Sequence, residues 1–225
     1  MPNRARALEW EGPQASPART ELIDAAVAIA DDAGLDAVSI RRVAGRVGIR
    51  TMSLYTHVAS KDDLLALMFE RISAELIVPT PLPPDGREQL RLIARRAFDS
   101  YLAHPWMLHA FGRRPATGPN QLRRAEQSAS AVNSLGIDTA KAWTALSIVH
   151  EWTMGHALHA VTLREDIALN KRLQATDAAD YPNASRALKS SEVRPNRAVF
   201  EEGLESVLDG IEKRFGPKAD SDDRT

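Results

Sequence analysis

The side chains able to do chemistry in this 225-residue chain gather in a few short segments. One is Arg50-Thr51-Met52-Ser53 followed by Tyr55, Thr56 and His57, a run of donors and compact groups in which Leu54 alone is committed inward. Such a face adds little to folding but suits the reading of base edges. An arginine can pair with guanine O6 and N7 and a methionine can lie against a thymine methyl, with about 1–3 kcal/mol of discrimination for a good bidentate pair. Charge is distributed to match. From Ser39 to Lys61 the residues Arg41, Arg42, Arg46, Arg50 and Lys61 are five basic groups with no Asp or Glu, a local +5 in a chain of net charge −1. Acidic residues frame this segment, with Glu21, Asp24, Asp31, Asp32 and Asp36 before it and Asp62, Asp63, Glu70 and Glu75 after it. A basic stripe between acidic helices is the electrostatic footprint of a small DNA-reading surface.

Aromatic and imidazole groups concentrate further along, at Tyr101, His104, Trp106, Met107, His109 and Phe111, and again at Trp143, His150, Trp152, Met154, His156 and His159. A small-molecule pocket is mostly apolar with a few placed polar groups, and this inventory fits one. Tyr101, His104, Trp106, His109, Trp143, His150 and Met154 are the expected pocket residues, while Trp152 and His156 lie nearer another helix face, toward a partner subunit. Taken singly, each Trp or Met is as well explained as core. His156 and His159 stand at i and i+3, with Glu151 or His109 as possible third ligands. Zinc needs three or four converging ligands with supporting hydrogen bonds, and the sequence shows only two neighbours, so no metal or other cofactor is expected.

Composition bounds the alternatives. The chain has no cysteine, which removes disulfides, thiolate zinc sites and a cysteine nucleophile, and fits a reducing compartment. Met1 to Ser16 lacks the apolar run of a signal peptide or anchor, and later apolar stretches fall short of a bilayer span, so a soluble, cytoplasmic protein without a membrane partner is expected. There is no nucleotide-binding glycine loop, no nucleophile motif and no HExxH. The rivals are a helical metal-dependent enzyme using the histidines with Glu151, and a ligand-binding protein without DNA binding. Neither explains the +5 segment.

The elements that must position these groups are helices throughout, because apolar residues recur at helical spacing and nothing alternates at period 2. A first helix runs from Pro17, behind Ser16, with Leu22, Ala26, Ile29 and Ala33 inward and Gly34 at its end. Ser39 caps Ile40 to Arg46, Val47-Gly48-Ile49 turns, and Thr51 to His57 forms the next short helix. Ser60 opens a fourth helix to about Ile77. The proline-rich stretch Val78 to Gly86 cannot continue it and marks a junction. Asp85 with Glu88 makes a capping box for a helix to Ala103, followed by Pro105 to Phe111, Asn120 to Leu135, and a nearly all-apolar helix from Asp138 to Leu163. Residues 164 to 194 are irregular, with a short helix near Ala184 to Leu188. A last helix from Pro195 carries Phe200, Leu204, Val207, Leu208, Ile211 and Phe215 on one face. The expected organisation is a flexible arm 1–16, an N-terminal helix-turn-helix domain 17–77, a helical ligand-binding and dimerisation domain 78–215, and a disordered tail 216–225.

The segment SIRRVAGRVGIRTMSLYTHVASKDDLLALM, Ser39 to Met68, resembles the DNA-binding signature of the tetracycline-repressor (TetR) family, above all in Leu54-Tyr55-Thr56-His57-Val58 and Ser60-Lys61-Asp62-Asp63-Leu64-Leu65. Residues 86 to 215 resemble that family's C-terminal domain through the His104-Pro105-Trp106 turn and two long terminal helices. The resemblance implies an all-α repressor that leaves a palindromic double-stranded operator when a small-molecule effector binds. It implies contacts from Arg41 and Lys61 to phosphates or base edges, from Tyr55 and His57 to the backbone, and from Arg50, Thr51, Met52 and Ser53 to bases, with Ser39 heading the supporting helix. Tyr55 could equally pack as a core aromatic with its hydroxyl in water. Some repressors of this type have Gln-Pro where this chain has Thr51-Met52, so the operator does not carry over. A homodimer is expected through the two long helices paired as a four-helix bundle, with Trp152, His156, Phe200, Leu204, Leu208 and Ile211 at the interface. The short helix from Pro105 would be the hinge between pocket and DNA head.

Overall fold

The computed structural model describes residues 17–110, 116–165, 181–183, 185–186 and 196–217, and no strand occurs among them. The helices are α1 (Pro17–Ala33), α2 (Ile40–Val47), α3 (Thr51–Leu54), α4 (Lys61–Leu76), α5 (Gly86–Ala103), α6 (Trp106–Ala110), α7 (Pro119–Ser134), α8 (Thr139–Glu165) and α9 (Arg197–Phe215), with a 3-10 turn at Leu35–Ala37. The expected arm 1–16 and most of the irregular stretch after α8 lie outside the described residues. Of the short helix expected near Ala184 to Leu188, residues 182–183 and 185–186 are helical.

Local chemistry explains the boundaries. Ser39 accepts from the Arg42 amide at 3.2 Å and Ser60 from the Asp63 amide at 3.0 Å, each supplying a helix start with an acceptor for an otherwise orphan donor. Gly48, at φ 78°, ends α2 in the left-handed conformation that lets its amide reach the Ala44 carbonyl. At α5, Asp85 accepts from the amides of Arg87 and Glu88, but Glu88 does not complete the expected capping box: its carboxylate is held by Arg91 one turn on. Asn196 caps α9 by accepting from the Val199 amide at 3.0 Å.

Leu22, Ala26 and Ile29 of α1 meet Val43 and Ala44 of α2, Leu54, Val58, and Leu64 and Met68 of α4 in the core of the head. Ala33 is exposed, and Ala30 takes the inward position instead. Leu64 to Glu70 are buried without a break, because α4 packs on α1 on one side and on α5 and α7 on the other. In the body, α5 lies against α7 and α8, and α8 against α9.

The inner face of α9 corrects one expectation. Phe200, Leu204, Leu208 and Ile211 are at most 1% exposed within a single chain, so a partner cannot touch them. Phe200 stacks on Phe98 of α5, ring centroids 4.1 Å apart and planes 6° from parallel. An ion-pair ladder runs beside this seam: Arg87 to Glu205 and Asp209, both at 2.7 Å, Arg91 to Glu205 at 2.5 Å, and Arg95 to Glu201 at 2.8 Å. The first Arg91 guanidinium contact, followed by that of Arg87, holds the Glu205 carboxyl down at about 2. The amphipathic stripe is thus consumed within the subunit.

Candidate nucleic-acid interface and its junction with the body

The segment expected to read DNA is a shorter helix than the expected Thr51 to His57. With α3 only Thr51–Leu54, the chain turns through Tyr55 to His57 rather than continuing as helix, and the Thr56 hydroxyl donates to the Ser53 carbonyl at 2.7 Å in place of a longer ladder. Leu54 is fully buried while Met52, on the same single turn, is 76% exposed. Arg50, Thr51 and Ser53 are exposed too, as are Ser39, Arg41 and Lys61, and His57 is half-buried. Tyr55 is 48% exposed, and so is not a core aromatic. Of the other basic residues, Arg46 pairs with Asp32 of α1 at 3.2 Å and is held against the head.

The expected pocket residues do not form one set. His104 and Trp106 turn toward the head, where His104 Nδ1 and Trp106 Nε1 both lie 2.8 Å from Oδ1 of Asp31, in the last turn of α1. The indole is 2% exposed and meets Phe69 of α4 edge-on at 5.4 Å. His104 Nε2 lies 3.8 Å from Glu75 of α4, whose carbonyl accepts from Arg96. His109 is exposed and lines a groove of about 620 Å³ with Pro105 and Trp106 on one wall and Asp31 to Asp36 on the other.

Tyr101 and His150 each lie near Arg124 of α7, inside the body. Tyr101 of α5 is fully buried, and burial pushes its hydroxyl up while the Arg124 guanidinium of α7 pulls it down. Burial, then the charge of the same Arg124, lowers His150 of α8 to about 4, so its imidazole is neutral at physiological pH. Met154 is half-buried against the core. Trp143 departs from expectation, at 75% exposed, because α8 turns Ala142, Ala145 and Val149 inward and leaves the indole outside.

Trp152 and His156, expected at a subunit interface, sit between α8 and α9 of one chain. His156 Nε2 lies 3.3 Å from the Asn196 carbonyl, its ring is 5.8 Å from Phe200 and 5.4 Å from Trp152, and burial lowers its pKa. The His156–His159 pair gathers no third ligand: among the described residues no group of three or more His, Cys, Asp or Glu could hold a metal.

Sequence reasoning missed residues that tie head to body. Glu70, a buried carboxylate on α4, accepts from the amides of Asn120 at 2.5 Å and Gln121 at 3.4 Å, serving the start of α7, where a negative charge is favoured. Gln127 accepts from the Val78 amide at 3.0 Å and donates to the Val78 carbonyl at 2.6 Å. Glu70 stands in an otherwise apolar run, a signal that could have marked it. Asp31 and Gln127 stand among other polar residues and carry none.

A two-helix reader with an exposed polar second helix, backed by a helical body with a buried polar cluster, defines a helix-turn-helix regulator. A family model described as bacterial regulatory proteins, tetR family, matches residues 22–68, and one described as tetracyclin repressor-like, C-terminal domain, matches residues 80–215. The chain belongs to the TetR family and is a ligand-responsive, DNA-binding transcriptional repressor. The HTH-type transcriptional repressor DrrR1 of Streptomyces coeruleorubidus is 30% identical over 233 residues, covering 92% of this chain and 85% of that one. The tetracycline repressor protein class A from transposon 1721 of Escherichia coli is 27% identical, over 86% of this chain and 89% of its own. The crystal structure of the Streptomyces coelicolor TetR family protein ActR in complex with (S)-DNPA aligns with a TM-score of 0.74 at 28% identity, over 87% of this chain and 96% of that one. No helix among the described residues is long and apolar enough to cross a membrane.

Proposed function

We propose that Arg50, Thr51, Met52 and Ser53 read base edges in the major groove while Ser39, Arg41, Tyr55, His57 and Lys61 hold the backbone of a near-palindromic operator, one half-site per subunit of a homodimer. The observation that carries this is the contrast on one turn between fully buried Leu54 and 76%-exposed Met52, which leaves the polar face of α3 open among the described residues. The effector enters the body near Tyr101, Arg124 and His150, where a neutral imidazole, a phenol and a guanidinium from three helices converge. Dimerisation uses the outer faces of the last two long helices: Ile148, Gly155 and Leu158 on α8 and Val199, Ser206 and Gly210 on α9, all exposed in one chain. Small residues at Gly155 and Gly210, with nothing within 4 Å of where a Cβ would stand, suit the close approach of a second pair of helices. The protein acts in the cytoplasm and without catalysis.

The test is an electrophoretic mobility shift on the DNA upstream of the protein's own gene. Lys61→Ala weakens binding to all sequences alike and lowers the salt dependence, whereas Arg50→Ala or Thr51→Ala changes sequence preference. Unchanged affinity in both Lys61→Ala and Tyr55→Ala would remove this surface from consideration.

A further inference from the structure

One oxygen spans the joint between α5 and α6. Oδ1 of Asp31 takes His104, the C-cap of α5, and Trp106, the first residue of α6, both at 2.8 Å, with Pro105 between them. A rotation of α6 against α5 about Pro105 cannot keep both contacts, because the donors belong to different helices and the acceptor is a single atom. At its other end Asp31 is fixed in the head: α1 packs on α2, and the adjacent Asp32 pairs with Arg46 of α2 at 3.2 Å. His104 also faces Glu75 on α4, and Trp106 rests on Phe69 of the same helix. The groove beside the joint, walled by His109 and by Asp31 to Asp36, leaves α6 room to move.

We infer that Asp31 is a positioning residue, the latch through which the α5–α6 angle sets the pose of the DNA head. The inference rests on the reading of the chain as an effector-released dimer, and makes α1 as well as α4 a route from body to reader. In the latched state one carboxylate oxygen fixes both sides of the joint, and α1 and α2 keep one spacing of reading helices. Movement of α6 on effector binding breaks the Trp106 contact before the His104 contact, since α6 is the shorter segment and α5 is anchored along α7 and α8. Once the His104 contact follows, α1 has lost this tie to the joint and α4 is left as the main connection between head and body. Such a two-position contact is what a population switch requires.

The experiment uses the full chain, whose lack of cysteine gives single labelling sites without background. A spin label at Met52→Cys reports the distance between reading helices of the dimer by pulsed electron resonance, without DNA or effector. Trp106→Phe keeps the ring on Phe69 but deletes the N–H, Asp31→Leu deletes the acceptor, and Asp31→Asn keeps a carbonyl acceptor. The expected result is a distance distribution shifted or broadened by a few ångströms in Trp106→Phe and Asp31→Leu, with Asp31→Asn near wild type, all unfolding cooperatively. A wild-type distribution in folded Trp106→Phe overturns the inference, since a tie of merely structural importance lowers the melting temperature without moving the heads. Should Asp31→Leu fail to fold, the comparison of Trp106→Phe with Asp31→Asn decides. A labelled wild type that sediments as a monomer contradicts the dimer instead, and the latch is then read from the Met52→Cys to Leu122→Cys distance within one chain, with the same outcomes.

Discussion

Gly203 of α9 lies so close to Trp152 of α8 that a Cβ on the glycine would fall 2.0 Å from Cζ2 of the indole. The contact sets how near the two terminal helices approach. Gly203→Ala must therefore displace a half-buried indole, an overpacking that costs about 1–3 kcal/mol. Denaturant unfolding checks the value, and Trp152→Leu in the same chain should recover much of the loss as a coupling between the two sites.

Charge placed on the two faces of α9 separates folding from pairing. Leu204→Asp with Leu208→Asp puts carboxylates into the core seam with α5 and α8, and the outcome is an unfolded chain rather than a folded monomer. Gly155→Arg with Ser206→Glu alters only exposed positions, and the expected product keeps its helical circular dichroism but sediments as a monomer. A folded Leu204/Leu208 double mutant would contradict the burial described above.

Acid should act on the body in separate steps. His150 titrates at about 4 in the fold against 6.5 for a free imidazole, so between those values the unfolded chain binds a proton that the folded chain refuses. Stability therefore falls as pH drops from about 6.5 toward 4. Glu205 has the other sign of charge and a lower window: its folded pKa is depressed from 4.5 to about 2, and its contribution, present above 4.5, is lost as pH falls through that range. Urea midpoints measured across the acid range should show a flatter upper limb in His150→Leu, with the part due to buried His156 remaining, and an unchanged lower one.

Glu70→Ala leaves the amides of Asn120 and Gln121 without their acceptor at the start of α7. An unsatisfied buried donor costs about 1–3 kcal/mol, and hydrogen exchange should rise at the first turn of α7 before it rises elsewhere. Uniform protection in the mutant would mean that α7 does not depend on this carboxylate.

Helix positions were legible from local signals because caps and breakers act over one turn: Ser39, Ser60, Asp85 and Gly48 stand where the sequence places them. The exposure of Arg50 to Ser53 around a buried Leu54 was legible for the same reason, since a run of polar groups about one apolar residue needs no tertiary information. What could not be read was which of two packing surfaces an apolar stripe serves. Phe200, Leu204, Leu208 and Ile211 have the periodicity of an interface and of a core alike, and the decision lies with α5, whose Phe98 and arginines face α9 from a hundred residues away in sequence, as the separation of 106 between Arg95 and Glu201 illustrates. His104 and Trp106 were likewise marked as functional by type, but their partner Asp31 is an ordinary surface acid until the fold brings α1 to α6.

The unbroken burial of Leu64 to Glu70 has a consequence for recombination among such regulators. A helix whose opposite sides are both interior ties each neighbour to it, so a junction at either end of α4 makes a foreign seam, against α1 when it falls before Lys61 and against α5 and α7 when it falls after Ile77. Transplanting residues up to Ala59 would set a foreign α1 against the recipient's α4 in the core of the head. Grafts joined in the Pro79–Pro84 segment would instead bring a foreign α4 surface against α5 and α7, and chimeras made there should fail to fold even when both parents are stable.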